Sequence, residues 1–225
     1  MTPWTTVATL KTREGELQLR RRGEREFLIT IGGRVLMTSA ERHSEEALAK
    51  LSCGPIADRA HPRVLVGGLG MAYTLRAALD VLPSRARVVV AELTREVVDW
   101  CKGPLGVLTA NSAADPRVSF VIGDVARVIA DAPRGHFDAI LLDLYEGPHH
   151  ATQRRDDPFY GPAALARTRA ALADGGRFAV WSEEPDAPFS RRFASAGFAV
   201  ETHKLGKSRT HVVYVGTPVI ASTRR

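Results

Sequence analysis

The chain has 225 residues, 44% hydrophobic and 25% charged; this suits one α/β domain with a small extension, no apolar run reaches the roughly 18 residues of a membrane span, and residues 1–13 do not read as a secretory signal. Cys53 and Cys101 form no metal-ligand spacing and need no disulfide, so a reducing cytoplasm is the expected compartment. The net charge of +6 is scattered, and its densest run, Arg20-Arg21-Arg22 with Arg25, lacks the interleaved aromatics of a stacking platform, so a nucleic-acid partner is not expected.

Residues 5–37 read as strands. Glu16-Leu-Gln-Leu-Arg20 alternates, Phe27-Leu-Ile-Thr-Ile31 is rich in β-formers, and Gly32-Gly33 is a hairpin turn. Ser44 has the chemistry of an N-cap for a helix at 45–52. From Pro62 onward strands and helices alternate. Strands are expected at 64–66, 87–92, 118–122, 137–142 and 177–181, and helices at 72–82, 95–102, 125–130, 161–173 and 188–196. Gly175-Gly176 reads as the close of the helix at 161–173. A polar loop covers 146–157, and 199–204 with 210–215 form a hairpin. Repeated βα units predict a parallel sheet with helices on both faces and an antiparallel edge. The expected division is an N-terminal β extension with its helix over 1–54 and a nucleotide-binding domain over 55–225.

The most informative stretch is Arg63-Val-Leu-Val-Gly-Gly-Leu-Gly-Met71, followed by Val88-Val-Val-Ala-Glu92. An apolar run stops at a glycine cluster, a helical pattern follows, and a second apolar run ends on a carboxylate. Glu92 lies 24 residues after Gly68 (92 − 68). Gly67, Gly68 and Gly70 permit a tight turn and close approach of a ligand to the backbone. The helix N-terminus beyond them offers its amides, and Glu92 can accept hydrogen bonds from ribose hydroxyls. This is the layout of a nucleotide-binding βαβ unit.

Three further stretches extend the pattern: Asp115-Pro-Arg-Val-Ser-Phe-Val-Ile-Gly-Asp124, Phe137-Asp-Ala-Ile-Leu-Leu-Asp143 and Leu172-Ala-Asp-Gly-Gly-Arg-Phe-Ala-Val180. With them the chain resembles the class I S-adenosylmethionine-dependent methyltransferase superfamily, and within it the spermidine synthase-like branch, over nearly its whole length. The resemblance implies an α/β fold: a Rossmann-like doubly wound sheet with a C-terminal antiparallel hairpin, preceded by a small N-terminal antiparallel β extension. It implies S-adenosylmethionine, or its decarboxylated form, as cofactor, a small-molecule acceptor and a homodimer. Gly68 and Gly70 would face the amino-acid end of the cofactor and Glu92 its ribose, with Gly67 and Leu93 also among the cofactor-binding residues. Asp124 and the Val125 amide would meet the adenine, and Asp143 would stand beside the reacting centre.

The chain also departs from the branch. Aminopropyl-transferring members carry an acid three residues after the counterpart of Asp143, to take a proton from the attacking amine; here that residue is Glu146. Met71 stands where the branch has its glycine-turn acid. Ala40 and Ser44 replace the Asp and Tyr of its N-terminal substrate motif, while Glu41 and Glu46 are retained. A polyamine is a row of cations and needs carboxylates spaced along its groove, so these losses favour methyl transfer. Asp143 and Glu146 are the expected catalytic pair, with Tyr145 and Glu41 at the substrate. No metal is expected at His149-His150 with Asp156-Asp157, because adjacent imidazoles do not readily turn to one ion. The expected activity is methyl transfer to a small molecule. Aminopropyl transfer to an amine and non-catalytic nucleoside binding are the alternatives.

Overall fold

In the computed structural model, residues 2–145, 147–149, 152, 154–206 and 211–219 are described. Strands β1 (Thr5–Thr12), β2 (Gly15–Arg22), β3 (Glu26–Ile31) and β4 (Arg34–Thr38) pair antiparallel in chain order. Their alternating pattern buries Leu17, Leu19, Phe27 and Ile29 in one cluster with Val64 and Val66 of the main sheet. On the outer side Arg22 pairs with Glu26 and lies over the Trp4 ring.

Helix α1 (His43–Cys53) leads into the second unit. There β5 (Arg63–Gly67), α2 (Tyr73–Val81), β6 (Arg87–Glu92), α3 (Arg95–Lys102), β7 (Val118–Ile122), α4 (Val125–Asp131), β8 (Phe137–Leu142), α5 (Pro162–Ala171), β9 (Leu172–Ser182), α6 (Ala187–Ser195), β10 (Phe198–Leu205) and β11 (His211–Pro218) follow. The sheet has seven strands in the order β10-β11-β9-β8-β5-β6-β7. Strands β5 to β9 pair in parallel, and β11 joins β9 antiparallel with β10 outside it.

The central strands are buried on both faces, which is why they read as unbroken apolar runs. Val64, Val66, Ala139 and Leu141 pack toward α1, α2 and α3; Leu65, Ile140 and Leu142 pack toward α4, α5 and α6. Each buried Val, Leu or Ile among them contributes about 1.5–3 kcal/mol of apolar transfer. The chain runs outward from β5 through β6 to β7, then returns to β8 on the other side of β5. This reversal opens a crevice between the carboxyl ends of β5 and β8. Among the described residues no helix is long and apolar enough to cross a membrane.

Local expectations and the structure differ at four places. The first helix begins at His43, with Arg42 in the cap position and no side-chain cap bond; Ser44 lies inside the first turn, its hydroxyl engaged elsewhere. Ala72 is not helical: it adopts φ 65° and caps α2. Gly175-Gly176 do not close a helix. Helix α5 ends at Ala171 and β9 begins at once, but its pairing with β8 jumps from Phe137↔Leu172 to Ala139↔Arg177. The glycine pair sits in that bulge, with Gly175 at φ 67°. The terminal hairpin runs longer than expected, and Thr210 lies outside the described residues.

Candidate active site

Parallel pairing aligns the strand ends. Gly67 pairs with Ala91 on one side and Leu142 on the other, and Glu92 pairs with Ile122. Just past these pairs the Gly68 amide donates to Ala91 O (2.9 Å), the Asp143 amide to Gly67 O (2.8 Å) and the Gly123 amide to Glu92 O (2.9 Å). The glycine turn, Glu92, Asp124 and Asp143 therefore share one edge of the sheet.

The glycines are demanded by the protein's own packing, not by ligand access alone. Gly68 has φ +87°, and a Cβ there would lie 2.3 Å from the Asp143 carbonyl oxygen. A Cβ on Gly67 would meet Val125 Cγ2 at 2.8 Å, and one on Gly70, at φ +51°, would meet Met37 Sδ at 2.8 Å. The end of β8, helix α4 and strand β4 all close on this turn.

Glu92 binds the turn and its own loop together. Its Oε2 accepts from the Leu69 amide (3.0 Å) and its Oε1 from the Thr94 amide (2.9 Å). Burial raises its carboxyl above the usual range, while these backbone amides pull it down. Each oxygen keeps a further lone pair. Leu93 beside it is 72% exposed, and Ile122, at the end of β7, is also exposed. Asp124 is the N-cap of α4: its Oδ1 accepts from the Ala126 amide at 2.8 Å, a bond worth about 1 kcal/mol. Val125 is buried beneath the turn.

Strand β8 carries an acid near each end. Asp138 accepts from Arg59 Nη1 (2.5 Å) and the Arg63 amide (2.6 Å), so its charge is compensated. Asp143 has Thr74 Oγ1 as a donor to its Oδ2 (2.6 Å) and, among the described residues, no cation. Asp143 as a whole residue is half-buried, and the protein packed around its carboxyl strips it of water. That burial, with the Glu45 charge nearby, pushes it up to about 7 against the pull of the Thr74 hydroxyl.

Glu45 is an acid that the motifs of the sequence do not single out. Thr74 Oγ1, which serves Asp143, also lies 3.5 Å from the Glu45 carbonyl oxygen. The Glu45 carboxylate accepts from Ser44 Oγ (2.7 Å), and His211 Nδ1 stands 3.0 Å from that same hydroxyl. A signal for Glu45 existed: it precedes buried Leu48, Ala49 and Ser52 by three, four and seven positions, so it lies on the core-facing stripe of α1. Thr74 and His211 carried no such signal.

The other expected residues stand as follows. Glu46 pairs with Arg42 (3.1 Å) and Lys50 (3.3 Å) along α1. Glu41 and Ala40 are exposed in the link between β4 and α1. Tyr145 is 49% exposed, with the Arg34 guanidinium 5.2 Å from its ring centre. Met71 is wholly buried in the core. Glu146 and His150 lie outside the described residues.

No family model matches the chain. Over 144 residues it is 31% identical to putrescine N-methyltransferase 1 of Nicotiana tabacum, a match covering 61% of this chain and 37% of that enzyme. Over 126 residues it is 33% identical to the polyamine aminopropyltransferase of Nitrosomonas europaea, covering 54% of this chain and 35% of the relative. The matches thus span little more than a third of these curated relatives. The spermidine synthase from Thermotoga maritima superposes with a TM-score of 0.73 at 17% identity, covering 97% of this chain and 75% of that one. A spermidine synthase in complex with the transition-state analogue AdoDATO superposes with a TM-score of 0.72 at 16% identity, covering 97% and 74%. The fold is that of the spermidine synthases, and the sequence relatives are putrescine N-methyltransferases and polyamine aminopropyltransferases, in keeping with the spermidine synthase-like resemblance.

Proposed function

We propose that the protein is an S-adenosylmethionine-dependent transferase that places a methyl group on an amine nitrogen of a small molecule. The observation that carries this reading is the alignment of Gly68, Glu92, Asp124 and Asp143 along one strand-end edge. The residues fit such a cofactor. Glu92 keeps lone pairs for ribose hydroxyls, Asp124 has one carboxylate oxygen free of the cap bond for a nucleobase amino group, and Leu93 and Ile122 present apolar surface for a flat ring.

When bound, S-adenosylmethionine supplies an electrophilic carbon and its own leaving group, so the protein forms no covalent bond to substrate. The chain must align the acceptor and remove its proton. Alignment alone can lower the barrier by roughly 7–11 kcal/mol. Asp143, raised to about 7, is matched to taking a proton from an ammonium near neutral pH. Thr74 orients that carboxylate, and the adjacent Glu45 charge favours a cationic acceptor. Glu146 is a further candidate base, Tyr145 a candidate wall of the acceptor site, and Glu41 a candidate residue at its entrance.

The choice of methyl transfer rests on Met71. A carboxylate at this end of the glycine turn would attract the amino end of a decarboxylated donor and repel the carboxylate of an intact one. A buried thioether does neither. The second reading is aminopropyl transfer from decarboxylated S-adenosylmethionine, favoured by the aminopropyltransferase relative. Incubation with each donor and putrescine, with identification of the nucleoside product, separates the two. S-adenosylhomocysteine is expected. Methylthioadenosine formed from the decarboxylated donor alone would overturn the methyl reading, and no product from either donor would point to a binding protein.

A further inference from the structure

A polar chain near Asp143 starts from β11, two strands from β8 in the sheet. His211 opens β11, and its Nδ1 stands 3.0 Å from Ser44 Oγ. Ser44 Oγ in turn donates to Glu45 Oε2 at 2.7 Å. The single proton of the Ser44 hydroxyl sets the direction of this chain. Because Ser44 gives that proton to Glu45, it accepts from His211, whose Nδ1 therefore carries hydrogen. Both donors point toward the Glu45 carboxylate.

The chain is also held in place. Ser44 is 5% exposed, and the Trp181 ring meets the His211 imidazole edge-on at 5.2 Å, which leaves it little room to turn. Ser44 performs no cap function for α1, so local helix chemistry does not account for its hydroxyl. Thr74 ties the other end, reaching both the Asp143 carboxylate and the Glu45 backbone.

We propose that His211, acting through the Ser44 hydroxyl, is a positioning residue that holds the Glu45 carboxylate beside Asp143 so that the two acids seat the cationic nitrogen of the acceptor. This rests on the transferase reading. It divides the labour of the two acids: Asp143 exchanges the proton, and Glu45 is the fixed anion.

The test uses three single variants and one double. His211→Phe keeps a ring against Trp181 but removes the donor. His211→Asn puts an amide N–H where Nδ1 stands. Ser44→Ala cuts the chain in the middle. Putrescine affinity is measured by calorimetry on protein loaded with S-adenosylhomocysteine, beside steady-state methyl transfer to putrescine. His211→Phe and Ser44→Ala are each expected to weaken putrescine binding and raise its KM on the order of tenfold, as loss of one hydrogen bond to a charged group would. Donor affinity and kcat should change far less. His211→Asn should recover most of the loss, and the double variant Ser44→Ala/His211→Phe should be no worse than either single, since both cut one chain. The inference is overturned if His211→Asn is as poor as His211→Phe, if the two losses add, or if donor affinity falls instead. Wild-type protein that binds putrescine but forms no nucleoside product sinks the transferase reading, while the affinity series still decides the role of His211.

Discussion

Thr74 Oγ1 donates to Asp143 Oδ2 over 2.6 Å, tying helix α2 to the end of strand β8 across 69 residues of sequence. The bond favours the ionised carboxylate and opposes the burial that raises it. If Asp143 is the base, kcat/KM should rise with pH through about 7. Thr74→Val keeps the shape and removes the donor, and should move that limb upward by roughly one pH unit. A pH–rate profile of the variant that superimposes on wild type would separate Asp143 from the chemistry.

Asp143→Asn should lower kcat/KM by about 10²–10⁴-fold, the usual contribution of a positioned base, with donor affinity largely kept. Its stability should change in the opposite sense. A carboxyl raised on folding costs stability wherever it must ionise in the folded state. The cost is complete above about pH 7, shrinks as pH falls through the interval, and is gone below the usual carboxylate range. The variant should therefore melt above wild type at pH 8, by up to a few kcal/mol, and the gap should close toward pH 4. Thermal melts across pH 4–8 test this; a gap that widens at low pH would contradict the raised carboxyl.

Gly68→Ala places a Cβ 2.3 Å from Asp143 O on a residue at φ +87°. It should destabilise the fold by about 1–3 kcal/mol and weaken donor binding by shifting the end of β8. Gly123, in the next turn along the same edge, has nothing within 4 Å of where an alanine methyl would lie, and no left-handed φ. Gly123→Ala should leave stability within about 0.5 kcal/mol of wild type in denaturant titrations. Equal losses at both positions would refute the packing account of the turn.

Met71→Asp would restore a carboxylate to the glycine turn, but the side chain at this position is wholly inside the core. Burying an unpaired carboxyl there should cost several kcal/mol, seen as a large loss of folded protein in circular dichroism and no gain of aminopropyl transfer. A stable variant that accepts the decarboxylated donor would show that position 71 faces the ligand after all.

Much of the fold was legible because its signals are local. The strands at 87–92, 118–122 and 137–142 end where expected, since β-branched and apolar runs buried on both faces are bounded by turn residues. Gly68, Glu92, Asp124 and Asp143 stood out for the same reason: each follows or closes such a run. Ser44 and Gly175-Gly176 misled because a serine before acids and a glycine pair after a helix carry strong local meanings. Distant partners overrode both, His211 for Ser44 and the bulged pairing with β8 for the glycines.

By itself, then, the sequence determined the alternation of strands and helices and the residues that cap the strands, because backbone preference and side-chain period act over a few positions. Only the tertiary structure decided that the Glu45 charge acts on Asp143 while Glu46 pairs with Arg42 and Lys50, that Thr74 bonds Asp143 and His211 meets Ser44, and that Met71 is core. Those choices depend on which surfaces meet when β5, β8 and β11 enter one sheet with α1 and α2 packed across it, and no short stretch of chain encodes that meeting.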